Sequence, residues 1–382
     1  MTWNWQDKDW PHFLWDAGKL ARAESLFLEG AGLMTGVSIH LNDQDQKTLM
    51  VDIMSREALE TSAIEGEIFN RESVQASIRH QLGFSTDCNK ATPPEMGVAE
   101  MMVDLYLHIT DPLDHESLFK WHTMVTNARR DLGDIGCYRT HADPMQIVSG
   151  PAYARKVHYE APPSDQIPQE MTGFLEWFDQ TRVGGIKPLP IITRAGIAHL
   201  WFESLHPFED GNGRIGRMIA EKALAQSLSI PTLTGLSATL HRRRKEYYQS
   251  LESVSKTLNI SDWLLWFASI VIEAQRRSQA QVEFLLSKTR LMDKVRSSLN
   301  ARQEKAILRI FKEGPEGFKG GLSAKNYTNI TGTSTATATR DLNGLVQEGV
   351  LCRTGELKAA RYHLTVPLKP VSQVTLKDIC AL

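Results

Sequence analysis

Two helical patterns in this 382-residue chain meet at a segment that cannot be helical throughout: His206-Pro-Phe-Glu-Asp-Gly-Asn-Gly-Arg-Ile-Gly-Arg217. Pro207 disfavours helical geometry at His206, so the preceding helix is expected to end there. A helical pattern resumes at Arg214 or Ile215. Between the two, Gly211-Asn212-Gly213 lets the backbone take positive φ and turn its N–H groups inward. A concavity of that kind at a helix N-terminus binds anions. Arg214 and Arg217 lie three apart on the first turn, and guanidinium groups suit phosphate oxygens in pairs. Asp210 is an oxygen ligand of the type Mg²⁺ accepts beside a polyphosphate. His206 is the group whose proton moves near neutral pH. Together these parts describe a site for a nucleoside polyphosphate with a general base beside it. The implied reaction class is transfer of a phosphorus-containing group to a nucleophile. A tight helix–helix turn with surface charges is the competing reading, and the convergence of base, metal-type ligand, anion nest and two arginines weighs against it.

The same residues resemble the signature of the Fic family, HxFx(D/E)GNGRxxR, and His206, Phe208, Asp210, Gly211, Asn212, Gly213, Arg214 and Arg217 meet every defined position. The resemblance implies a mainly α fold, with a helical core over roughly residues 115 to 265 and a β-hairpin flap. It also implies protein adenylylation, with ATP as donor and Mg²⁺ as cofactor. In that frame His206 deprotonates a Ser, Thr or Tyr hydroxyl of a target, or of the chain itself, for attack on the α-phosphate. Asp210 holds the metal. Gly211, Asn212 and Gly213 cradle phosphate oxygens, with Ile215 and Gly216 completing the nucleotide-binding stretch. Arg214 takes the β-phosphate side, Arg217 takes the γ-phosphate, and Phe208 is buried under the loop. Tyr247 and Tyr248 resemble the family's tyrosine pair near the adenine; by pattern alone they are core aromatics.

Ile147-Val148 and the alternating Lys156-Val157-His158-Tyr159 flank Ser149-Gly150-Pro151, which predicts a hairpin with its turn near Gly150. A lone hairpin in a helical protein suggests a binding flap. It matches the position of the family's flap, which aligns a target segment by strand addition over residues 146–158. Val148 and Ser149 are the expected nucleotide or target contacts there.

Thr61-Ser-Ala-Ile-Glu65-Gly66 resembles the family's inhibitory motif, (S/T)xxxE(G/N). It ends a helix predicted over Asp43 to Ile64, whose apolar Met50, Ile53, Met54 and Ala58 recur at helical spacing and whose stop is Gly66. The resemblance implies that Glu65 pairs with Arg217 and takes the place of the γ-phosphate. A solvent-exposed glutamate at a helix end is the alternative.

Three regions are expected. Residues 1–95 form an N-terminal helical region carrying the inhibitory helix, with Trp3, Trp5, Trp10 and Trp15 anchoring the N-terminal segment. Residues 96–290 form the catalytic core. Residues 291–382 read as helix, helix, turn, helix and two short strands, the layout of a winged helix-turn-helix. The resemblance extends to a bacterial subgroup with this N-terminal extension and C-terminal domain. Ser334 to Leu342 is the expected recognition helix, with Lys325, Arg340, Arg353, Lys358 and Arg361 as phosphate contacts. A protein–protein module, including one that makes a homodimer, is the equal alternative. The main alternative to an enzyme is a DNA-binding regulator that uses the core as a nucleotide sensor; a toxin-like module with a tied-on antitoxin helix is a third. Tyr327 and the Thr333 to Thr339 run read as exposed, and so as possible self-modification sites.

The net charge of −2 gives no bulk attraction for nucleic acid or anionic membrane. Cys88, Cys137, Cys352 and Cys380 are far apart and form no CxxC pair, which points to a reducing compartment. No secretory signal and no membrane-spanning run is visible, so a cytoplasmic place is expected. No GxxxxGK(S/T) loop occurs, which excludes a P-loop enzyme. His122, His199 and His241 read as structural histidines, and Arg242 to Lys245 as a solvated helix start.

Overall fold

The computed structural model describes residues 2–38, 43–85, 91–150, 154–228, 234–312, 318, 320–366 and 371–380; Cys88, Pro151 and the Lys358 side chain lie outside the described part. The chain is mainly helical and divides into two units, Met1–Thr35 with Met50–Gln275 and Gln373–Leu382, and Gly36–Leu49 with Arg276–Ser372.

Helices α1 (Ala17–Ser38) and α2 (Asp43–Ile64) are followed by α3 (Arg71–Gln81), α4 (Pro93–Leu107) and α5 (His115–Val125). α2 ends as expected, with Gly66 at φ +90°. Asn70 starts α3 by accepting from the N–H groups of Glu72 and Ser73. Strands β1 (Gln146–Ser149) and β2 (Lys156–Glu160) pair antiparallel, with Gly150 at φ +90° after β1. Then come α6 (Ile167–Gln180), α7 (Ile191–Leu205), α8 (Asn212–Ala225), α9 (Leu236–Arg242), α10 (Arg244–Val254) and α11 (Ser261–Val295).

All of α7 is buried, because its residues are apolar nearly all the way round. Some of its polar groups are paired internally, while His199 Nδ1, Trp201 Nε1 and Glu203 Oε1 have no hydrogen-bond partner among the described residues. Arg194 donates to Phe178 O at 2.8 Å and to Gln226 Oε1 at 2.9 Å, and Trp263 Nε1 donates to Gly196 O at 2.9 Å. The rigid frame that carries the site is thus the α7–loop–α8 hairpin inside one apolar core.

The N-terminal tryptophans do anchor their segment. Trp5 Nε1 donates to Glu160 O at 2.7 Å, Trp10 Nε1 to Glu170 at 3.0 Å, and Trp3 packs edge-on against Tyr159 at 5.3 Å. The Tyr159 hydroxyl in turn donates to Ser204 O at 2.7 Å, which fastens β2 to the end of α7.

In the second unit, α12 (Ala301–Phe311), α13 (Ala324–Thr331) and α14 (Thr335–Gln347) precede an antiparallel pair, β3 (Leu351–Thr354) and β4 (Arg361–Leu364). Gly332 at φ +71° ends α13, and the Ser334 hydroxyl caps α14. Thr335, Ala336, Thr339 and Arg340 are exposed on α14, while Ala338, Leu342 and Leu345 are buried. Tyr327 departs from expectation. Its ring is fully buried, and its hydroxyl donates to Asp341 Oδ2 at 3.0 Å. Polar neighbours in the sequence hide an inward face, and a buried phenol needs such a partner. Among the described residues no helix is long and apolar enough to cross a membrane.

Candidate active site

His206 closes α7 in the left-handed region, at φ +45° and ψ +58°. That conformation is uncommon for a side-chain-bearing residue and has to be held by its surroundings. Arg139, buried, does the holding: Nε donates to His206 O at 2.9 Å, Nη1 to Ser164 Oγ at 2.7 Å, and its backbone N–H to Pro207 O at 2.9 Å. Burial lowers the His206 pKa to about 4, so the imidazole is neutral near pH 7 and can accept a proton.

The loop is clipped by one side chain. Asn212 Oδ1 accepts from Phe208 N–H at 2.9 Å, and its Nδ2 donates back to Phe208 O at 2.7 Å. Phe208 is fully buried and stacks on His122 with centroids 4.2 Å apart. Gly211, at φ +80°, is the N-cap of α8, and a Cβ there would lie 2.8 Å from Val125 Cγ2. Because Gly211 completes the turn, α8 begins at Asn212, two residues ahead of the position that the sequence pattern suggests. Its first turn offers N–H groups with no intrahelical acceptor.

Asp210 faces this turn. Burial alone would raise its pKa, but Arg214, the Gly211 N–H and Arg129 together bring it below the usual carboxylate range. Arg129 and Arg214 both reach it, the latter at 3.5 Å. An anionic, half-exposed carboxylate beside an anion nest suits a hard cation that takes its remaining ligands from bound phosphates.

The two signature arginines end on the segment around the close of α2. Arg217 is fully buried. Its Nε donates to Thr61 Oγ1 at 2.7 Å, and its Nη2 to Thr61 O at 2.9 Å and to Glu65 Oε1 at 2.7 Å. Burial alone would lower the Arg217 pKa; the Glu65 carboxylate outweighs it, so the net shift is upward. Arg214 donates to Glu67 Oε2 at 2.8 Å and to Val125 O at 3.2 Å. Glu65 Oε1 also sits against Gly213, where any side chain would displace it. A carboxylate therefore stands over the α8 N-terminus, where an anion is favoured.

One cavity of about 700 Å³ joins these parts. His206, Asp210, Gly211, Asn212, Gly213, Arg217 and Glu65 all line it. Val148 and Ser149 of the hairpin line it as well. Tyr247 and Tyr248 lie further along, the first buried with its hydroxyl 2.9 Å from His199 Nε2, the second half-exposed and donating to Ile64 O at 3.3 Å. Arg214, Ile215 and Gly216 are not on the wall; Ile215 is fully buried in the core.

Several site residues carry no sequence signal. Glu203 lines the cavity, and burial pushes its carboxyl up to about 8. Glu67, Arg129 and Arg139 reach the loop from distant segments, and only the fold brings them there. His199 and His122 have aromatic and backbone partners, and His241 Nδ1 lies 2.5 Å from Glu60 Oε2. Arg243 is not solvated as expected: its side chain is largely buried and pairs with Glu246 at 2.6 Å. Arg244 and Lys245 line the cavity.

Residues 3–84 match a domain of unknown function, DUF4172, and residues 112–224 match the Fic/DOC family. A probable protein adenylyltransferase of Aquifex aeolicus is 26% identical over 98 residues, 26% of this chain and 27% of that protein. The protein adenylyltransferase fic-1 of Caenorhabditis briggsae is 29% identical over 114 residues, 29% of this chain and 20% of that protein. The chain thus matches about a quarter or less of the length of these relatives. A Fic family protein of Desulfovibrio desulfuricans, solved as a crystal structure, is 20% identical, with a TM-score of 0.51 over 91% of this chain and 97% of that one. The stretch that matches the Fic/DOC family, residues 112–224, carries the clipped loop.

Proposed function

We propose that this chain transfers AMP from ATP to a Ser, Thr or Tyr hydroxyl of a protein. The observation that carries the reading is the shared cavity, which a neutral His206 lines together with the α8 N-terminus, Asp210 and Arg217. The relatives named protein adenylyltransferase support it.

In this reading the first turn of α8 and the two arginines bind the phosphates and leave the α-phosphate facing His206. Asp210 would hold Mg²⁺, which would supply charge neutralisation when bound. His206 takes the proton from the attacking hydroxyl, the bond to diphosphate breaks, and an AMP–oxygen bond forms. Arg139 fixes His206 from behind. The hairpin receives the target segment as an added strand. Glu65 acts as a brake: it occupies Arg217 and the nest, so a triphosphate cannot seat its γ-phosphate there. The C-terminal unit is read as a winged helix-turn-helix, with the exposed face of α14 available to a DNA groove.

The test is transfer of label from ATP carrying it on the α-phosphate, with Mg²⁺ and a cell lysate as a source of acceptors. Label on protein with Glu65→Gly, absent when His206→Ala is added, is the expected result. No label from either variant, with both folded, overturns the reading and favours a nucleotide-sensing regulator.

A further inference from the structure

Two carboxyl groups lie against the first turns of α8, and the reading above uses one of them. Glu65 Oε1 rests on Gly213, and Glu203 Oε1 rests on Gly216, where a Cβ would come within 2.5 Å of it. Only a residue without a side chain admits a carboxyl at that distance. Arg217 is next in the chain and pairs with Glu65 at 2.7 Å. Glu203, on α7, lines the same cavity as Glu65, Gly213 and Arg217, yet its Oε1 is buried without a hydrogen-bond partner. A buried polar atom left unpaired is destabilising, and in a binding cavity the missing partner can arrive with the ligand.

The surroundings of Glu203 decide which form it takes. Burial and the Glu65 anion favour the acid, Arg217 of α8 favours the carboxylate, and the acid prevails, with a pKa pushed up to about 8. The other titratable groups around it do not change charge near that pH. His199 of α7 is kept neutral by burial, its pKa lowered to about 3, and burial raises the phenols of Tyr247 and Tyr248 on α10. At neutral pH Glu203 therefore offers a hydroxyl donor, which the ionised Glu65 cannot. A fully ionised terminal phosphate only accepts, so a guanidinium and an acid hydroxyl side by side suit it. In the place of Glu65 it is again an anion beside Glu203, and it keeps the acid protonated.

We infer that Glu203 binds the terminal phosphate of a nucleoside triphosphate, donating its hydroxyl beside Arg217, and so sets a preference for triphosphate over diphosphate. The inference rests on the proposed seating of a triphosphate at α8 with its γ-phosphate at Arg217. It makes that preference depend on one proton. When Glu203 ionises it loses the donor and becomes an anion beside the same guanidinium, where it competes with the phosphate as Glu65 does. Gln at this position keeps a donor of similar size and cannot ionise. Leu keeps the bulk and removes the donor.

The experiment titrates the full chain carrying Glu65→Gly with ATP and with ADP, Mg²⁺ present, at pH 7.5 and pH 9, where both nucleotides are fully ionised. Above its pKa an acid loses its protonated form about tenfold per pH unit. The Kd for ATP is expected to rise at least fivefold between the two pH values, and that for ADP less than twofold. With Glu203→Gln added, the ATP Kd at pH 7.5 stays within threefold and its rise with pH disappears. With Glu203→Leu added, ATP weakens at least fivefold at pH 7.5 and ADP less than twofold; if that variant does not fold, the pH comparison with Glu203→Gln decides alone. Glu221, raised by burial, and Lys222, lowered by burial, are present in every chain and cancel from the comparison. A rise that survives Glu203→Gln overturns the inference, and so does an ATP Kd that is flat in the Glu65→Gly chain. Equal weakening of ATP and ADP by Glu203→Leu overturns it too, by placing Glu203 away from the terminal phosphate. These three results leave the transferase reading to stand on the label-transfer test. No binding of either nucleotide to the folded chain overturns both.

Discussion

The Glu65 carboxylate lies 2.7 Å from the Arg217 guanidinium and rests against Gly213 at the start of α8. Arg217 is fully buried and Glu65 partly exposed, so this is a carboxylate at the cavity edge on an internal cation. The pairing gives a specific expectation for nucleotides. A triphosphate competes with Glu65 for Arg217, and a diphosphate does not need that position. Glu65→Gly is expected to tighten ATP binding at least fivefold more than ADP binding, measured by titration calorimetry with Mg²⁺. Equal tightening of both would mean that Glu65 does not stand in the γ-phosphate's place.

The Asn212 clip predicts a stability effect that is separable from chemistry. Asn212→Ala removes the hydrogen bonds to both Phe208 N–H and Phe208 O, in a site that is 2% exposed. Each buried group left unmade costs about 1–3 kcal/mol. The variant is expected to lose roughly 2–4 kcal/mol in urea unfolding, together with ATP-dependent stabilisation. Asn212→Asp retains the acceptor and loses the donor, and should fall between the two.

The loop was legible in the sequence because its instructions are local. Pro207 ends a helix, Gly211 permits the turn, and Asn212 reaches only four residues back. The hairpin and the main helices were legible for the same reason, from alternation and helical period. What was hidden is held by long-range contact. Arg139 lies 67 residues from His206, and nothing in its neighbourhood marks it as the clamp. Glu252 meets His158 only because α10 and β2 both border the cavity. Tyr327 and Arg243 misled in the opposite direction: polar neighbours suggested exposure, while Tyr327 is buried on Asp341 and the Arg243 side chain is largely buried beside a more exposed Glu246.

His206 predicts an unusual acid limb. Its pKa is lowered from 6.5 to about 4, so the neutral base persists well below pH 6. For an ordinary imidazole, the neutral fraction falls about 25-fold between pH 7 and pH 5. In the Glu65→Gly chain, kcat/KM for AMP transfer is expected to change less than threefold over that range. A limb centred near pH 6.5 would place the essential base elsewhere or show that the site is wet in solution.

Glu203 shows the opposite sign, and it can be tested on stability alone. Its carboxyl is buried and its Oε1 has no partner. Burial raises its pKa from 4.5 to about 8. The unfolded chain therefore releases this proton earlier than the folded chain as pH rises. Folding is favoured by the neutral acid below pH 4.5, and that advantage drains away up to pH 8, by roughly 5 kcal/mol in total. Glu203→Gln cannot ionise, so its stability relative to the unsubstituted chain should climb between pH 5 and pH 8 and level off above. Urea midpoints for the two proteins at pH 5, 6.5, 8 and 9 measure this directly. The difference should grow with pH, whereas the buried histidines, present in both proteins, cancel from it. A difference that is flat across the series would mean that Glu203 is ionised in the folded state and shares Arg217 with Glu65.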